Sequence, residues 1–88
     1  MKLRKDFVIK EHKGKQYAIA TGEATKYFKG MLELNELGVF IFKMLKDDTS
    51  ESLIADAVTE EYDIDRTEAL ADINAFIRQL RLADILED

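Results

Sequence analysis

Eighty-eight residues, 47 % of them apolar and 35 % charged, make one small domain spanning residues 1–88, because a chain this short buries only about 60–65 % of its unfolded surface on folding. That composition excludes a disordered or membrane-embedded chain, and no apolar run approaches the roughly 20 residues that cross a bilayer. The net charge of −5 is unevenly spread: residues 1–15 carry six basic and two acidic side chains, residues 47–65 eight acidic and no basic ones, which reads as solvated faces of opposite field able to steer a partner of mixed charge.

Cations interrupt residues 1–15, so they lack the apolar core of a secretory signal and the expected location is the cytoplasm. Phe7-Val8-Ile9-Lys10-Glu11-His12 and Gln16-Tyr17-Ala18-Ile19-Ala20 are strand-like runs flanking Lys13-Gly14-Lys15, where glycine supplies positive φ, and they predict a hairpin. A two-residue period puts Phe7 with Ile9 on one face of the first strand and Tyr17 with Ile19 on one face of the second. From Thr21 to Gly30 no clean period exists, so this stretch is a connection with a short helical turn, pinned down by Tyr27 and Phe28.

Met31-Leu32-Glu33-Leu34 alternates as a third strand, expected at a sheet edge beside the last helix, and runs directly into a helix capped by Asn35. In that helix Leu37, Val39, Phe40, Ile41, Phe42, Met44 and Leu45 lie nearly all the way around the axis, which predicts a buried central helix. Asp47-Asp48-Thr49-Ser50 breaks it and caps a second helix with one apolar face, Leu53, Ile54, Ala57, Val58 and Tyr62. Asp65, with Glu68 three residues on, starts a long third helix. Its stripe is Leu70, Ile73, Ile77 and Leu80, with Ala69, Phe76 and Ala83 on one flank and Asn74, Arg78 and Arg81 on the other. The extra apolar width of the first flank asks for a second contact, either the third strand or a ligand lying between them. Ile85 and Leu86 are expected to fold back and close the core.

Catalytic chemistry has little to stand on. His12 is the single histidine and there is no cysteine, so a histidine metal pair, a thiolate site and a cysteine nucleophile are excluded. The carboxylates of residues 47–65 fall at helix caps and solvent faces, and Asp63-Ile64-Asp65 lacks the glycine and terminal glutamate of a calcium loop. No phosphate loop, dinucleotide fingerprint or nucleophile elbow is present. The expectation is a protein that is not an enzyme, with no catalytic residue, no metal and no cofactor.

The order and spacing of several weak motifs nevertheless resemble a known family. Leu32-Glu33-Leu34-Asn35-Glu36 leading into Phe40-Ile41, the helix start from Thr49 to Ile54, Glu60-Glu61-Tyr62-Asp63-Ile64-Asp65, and Asp72-Ile73 with Phe76-Ile77 and Leu80 are similar to the PqqD family, named for the pyrroloquinoline quinone biosynthesis chaperone. The resemblance spans essentially the whole chain and is strongest from Leu32 to Leu86. It implies an α+β winged helix-turn-helix in which an N-terminal three-stranded antiparallel sheet precedes three helices, β-β-β-α-α-α. It also implies a non-catalytic recognition element that binds the leader segment of a ribosomally made precursor peptide and presents it to a modifying enzyme, often a radical S-adenosylmethionine enzyme.

In that family the leader adds a strand to the third strand and lies against the third helix. Carried onto this chain, the strand is Gly30, Met31, Leu32, Glu33 and Leu34, and the helix wall is Ala69, Asp72, Ile73, Phe76, Gln79 and Leu80. A strand edge holds any extended peptide by main-chain hydrogen bonds while apolar slots select alternate side chains. Met31 and Glu33 then face opposite to Leu32 and Leu34, and Lys29, Arg78 and Arg81 are the cations available to acidic leader residues. The connection from Thr21 to Lys29 is longer than in the short pyrroloquinoline quinone proteins, which leaves the pathway open.

Two other readings fit the same element order. A DNA-binding winged helix would place the third helix in the major groove, but the acidic second helix and Glu68 and Asp72 oppose phosphate contact, so no nucleic acid partner is expected. A dimerisation module would pair the edge strand with its copy, so the expected state is a monomer or a weak homodimer.

Overall fold

A computed structural model describes residues 1–26, 28 and 30–87; the roles expected of Tyr27 and Lys29 fall outside the described residues. Lys13 and Gly14 turn the chain with φ of 54° and 80°, the pair of positive values that a two-residue type I′ hairpin loop needs. The strands they join are β2 (Phe7–His12) and β3 (Lys15–Ala20), paired antiparallel from His12↔Lys15 to Phe7↔Ala20. A 3₁₀ turn, Gly22–Lys26, leads to β4 (Met31–Leu34), which pairs with β3 from Gln16↔Leu34 to Ile19↔Met31. The sheet order is β2-β3-β4.

Three helices follow: α1 (Glu36–Met44), α2 (Glu51–Glu61) and α3 (Arg66–Leu82). Each starts at the cap expected of it. The Asn35 side chain accepts from the Gly38 amide, that of Ser50 from Leu53 and that of Asp65 from Thr67, each satisfying one of the amides that a helix start leaves unpaired. Arg66 ties the two later helices together by pairing with Asp56 and donating to Ser52 Oγ at 3.2 Å. The architecture is the expected winged helix-turn-helix with the β2–β3 hairpin as the wing.

Two short strands extend the expected order. Lys2–Leu3 (β1) pairs antiparallel with Leu86–Glu87 (β5) in a separate ladder, which is how Ile85 and Leu86 become buried. Arg4 donates to Asp84 Oδ1 at 2.9 Å across the same junction, and the Met1 amine donates to Asp48 Oδ1 at 2.6 Å. Phe28 anchors the connection as expected, meeting Phe7 edge to face with ring centroids 5.5 Å apart.

One core lies between the sheet and the helices, centred on Phe42, Ile41, Leu45, Ile54, Ile73, Ile77 and Leu80. α1 departs from expectation. Ile41, Phe42 and the C-cap Leu45 are buried, but Leu37, Val39, Phe40 and Met44 remain only half-buried, because the sheet and the other helices do not surround the whole of this helix. None of the helices is long and apolar enough to cross a membrane among the described residues.

Candidate functional site: the free edge of β4

The hairpin loop determines which main-chain groups β4 leaves open. A two-residue I′ loop closes on a hydrogen-bonded pair, here His12 and Lys15, and in an antiparallel ladder hydrogen-bonded and non-bonded pairs alternate. Lys10 with Tyr17 and Val8 with Ile19 are therefore the next bonded pairs on the β2 side. Gln16 and Ala18 must turn their main chains the other way, toward Leu34 and Leu32 of β4. It follows that the N–H and C=O groups of Met31 and Glu33 point away from the sheet. Among the described residues, neither makes a backbone hydrogen bond outside the ladder, so β4 presents an open edge.

Side-chain direction follows the expected alternation. Leu34 is buried and Leu32 half-buried on the core face with Ala18, whereas Met31 is 59 % exposed and Glu33 is exposed on the outer face. Glu33 pairs there with Lys15 at 3.7 Å, an exposed contact worth only about 0–1 kcal/mol. Gly30 precedes the strand with φ of 99°, a conformation open to glycine and unfavourable to a side chain.

Just past the end of β4, α1 and α3 enclose an open cleft of about 260 Å³ lined by Asn35, Leu37, Gly38, Ile41, Asp72, Ala75 and Phe76. Gly38 brings the elements close. A methyl group at that position would stand 3.4 Å from Phe76 Cε1 and 3.6 Å from Leu34 Cβ, so the Phe76 ring and Leu34 both border the space that glycine leaves. Asn35 holds the same corner by accepting from the Gly38 amide at 2.7 Å. Replacing Asn35 with alanine is expected to lower stability by about 1 kcal/mol. Differential scanning calorimetry would register this as a fall in midpoint of about 4–8 °C for a domain of this size.

The structure divides the residues expected in the groove into two groups. Gly30, Met31, Glu33, Asp72 and Gln79 are exposed and Leu32 and Phe76 are half-buried, so each of these keeps surface open to solvent. Ala69, Ile73 and Leu80 are fully buried and Leu34 nearly so; they belong to the core. Arg78 and Arg81 lie elsewhere, about 160° and 140° around α3 from Phe76 at 3.6 residues per turn, and an Arg81 nitrogen contacts the Met1 sulfur at 3.9 Å. The ionisable side chain that does line the cleft is Asp72. Leu37, Gly38 and Ala75 were missed by the sequence reading, since nothing in the chain order brings the start of α1 against the middle of α3.

The family model for coenzyme PQQ synthesis protein D (PqqD) matches residues 16–86. The chain belongs to the PqqD family. Among solved structures, the chain is similar to TbiB1 in complex with the TbiA(beta) leader peptide, with a TM-score of 0.75 at 23 % identity over 99 % of this chain and 95 % of that one. No curated protein matches the chain. At that identity the likeness establishes the fold, with its PqqD-type order of a three-stranded sheet followed by three helices.

Proposed function

We propose that this PqqD-family protein is a recognition element that binds the leader segment of a ribosomally made precursor peptide by strand addition to β4 and presents it to a modifying enzyme, a radical S-adenosylmethionine enzyme. The observation that carries the reading is the open main-chain edge at Met31 and Glu33, with the α1–α3 cleft just past its end. Main-chain bonding to that edge is indifferent to peptide sequence, and the cleft supplies the selection by taking every second side chain. Likeness in fold to TbiB1, a protein seen with a leader peptide, supports the same reading.

The protein acts in the cytoplasm by binding, without a cofactor. One edge accepts one strand, so the loaded form is a monomer, and any weak homodimer through β4 competes with the peptide. The acidic side chains of α2 and the first turns of α3, Glu51, Asp56, Glu60, Glu61, Glu68 and Asp72, oppose the phosphate contacts that nucleic-acid binding needs. A fluorescence-anisotropy titration with a labelled leader peptide from a small open reading frame beside the gene is the direct test. Saturable binding in the micromolar range or tighter, about −8 kcal/mol, is the expected result. Absence of saturable binding to every nearby candidate would overturn it.

A further inference from the structure

α1 leaves part of its apolar surface uncovered on the side away from the α1–α3 cleft, and the space there has a shape. Val39, Phe40 and Tyr62 form the floor of an open pocket of about 650 Å³, overhung by the hairpin tip at Gly14, Lys15 and Gln16. Phe40 and Tyr62 pack edge to face, with ring centroids 5.6 Å apart at 81°, so both rings are held in place while remaining only half-buried. Partial desolvation, with Glu36 and Glu61 adding to it, pushes the Tyr62 hydroxyl above its ordinary range, and the floor stays uncharged at neutral pH. Volumes of about 300–1,000 Å³ with an apolar floor and a polar rim are those of binding sites, and an apolar surface left open in a small domain marks an interaction.

Position names the occupant. Glu33, Leu34 and Asn35 line this pocket as well, so it adjoins the end of β4, across the start of α1 from the free edge. A strand paired with Met31 and Glu33 has no further edge to follow past Leu34, because the chain turns into α1 at Glu36. We propose that the continuation of the bound peptide leaves the edge there, crosses the first turn of α1 and seats a large apolar side chain on Val39, Phe40 and Tyr62. The inference rests on the leader-binding reading and adds a second anchor outside the β4–α3 groove.

The test compares two peptides and two proteins by anisotropy: the full leader and a version trimmed to the edge-paired stretch, each titrated against wild type and Val39→Glu. For wild type, trimming is expected to weaken binding about tenfold or more, the factor that burial of one leucine-sized side chain supplies. Val39→Glu should weaken the full leader by a similar factor and leave the trimmed peptide unchanged, which is the coupling expected of two groups in contact. Trimming from each end in turn shows which flank enters the pocket. Equal affinities of full and trimmed peptides for wild type would overturn the inference, as would an equal loss for both peptides on Val39→Glu. A concentration-dependent dimer in sedimentation that Val39→Glu dissociates would also overturn it, by assigning the pocket to a second copy. Failure of wild type to bind either peptide would instead sink the leader-binding reading itself.

Discussion

Glu33→Pro is expected to weaken leader binding about tenfold or more while leaving the protein folded, because it removes one outward amide and places a ring where the incoming strand must lie. Leu32→Pro, one residue away, is expected to fail in the opposite manner. The Leu32 amide points inward to Ala18, so proline there breaks a ladder bond and leaves the buried Ala18 main chain unsatisfied. Such a group costs about 1–3 kcal/mol, set against a total stability of about 5–15 kcal/mol for an ordinary domain. Edge strands accept proline where the missing N–H faces solvent, and circular dichroism melts of both proteins would expose the difference. Glu33→Gln is the control that removes the Lys15 pair and keeps the amide; it should bind the leader as wild type does. Tight leader binding by a folded Glu33→Pro protein would rule out strand addition to this edge.

Ile73 and Phe76 sit one turn apart on α3 and are expected to respond in different ways. Ile73 is fully buried, so Ile73→Ala removes core atoms and leaves a cavity, at a cost of about 2–5 kcal/mol. Urea denaturation should show that loss as a lower midpoint, with the folded fraction still able to bind the leader. Phe76 is half-buried and lines the cleft beside Gly38. Phe76→Ala is expected to cost binding far more than stability, since truncating a buried aromatic at the centre of an interface commonly costs about 2 kcal/mol or more, close to thirtyfold in Kd. Unchanged affinity in Phe76→Ala would remove α3 from the site. Loss of binding by the folded fraction of Ile73→Ala would show that the groove does not hold its shape once the core is thinned.

Much of this was legible in the chain because the relevant signals are local. Asn35, Ser50 and Asp65 each stand immediately before an apolar helical run and satisfy an amide two or three residues on, so cap and helix are written side by side. The alternation of Met31-Leu32-Glu33-Leu34 assigns faces within the strand, and burial of Leu34 against exposure of Met31 follows it. The stripe of α3 likewise identified Ile73, Ile77 and Leu80 as core. Periodicity does not say which apolar residues stay reachable. The family resemblance grouped Ala69, Ile73 and Leu80 with Phe76 in the helix wall, although only Phe76 has exposed surface among them.

By itself the sequence determined the three strands, the three helices, their caps and the core stripe of α3, because each depends on residues within a turn or two of one another. Tertiary structure alone decided three further matters. The pairing of Lys2 and Leu3 with Leu86 and Glu87 joins the two ends of the chain, a contact for which two-residue strands carry no periodic signal. The outward aim of the Met31 and Glu33 main chains depends on the register counted through two ladders from the turn at Lys13 and Gly14. The half-open side of α1 depends on how far its neighbours reach. An apolar helix can declare that it wants cover on every side, but only the packed fold shows which side is left for a partner.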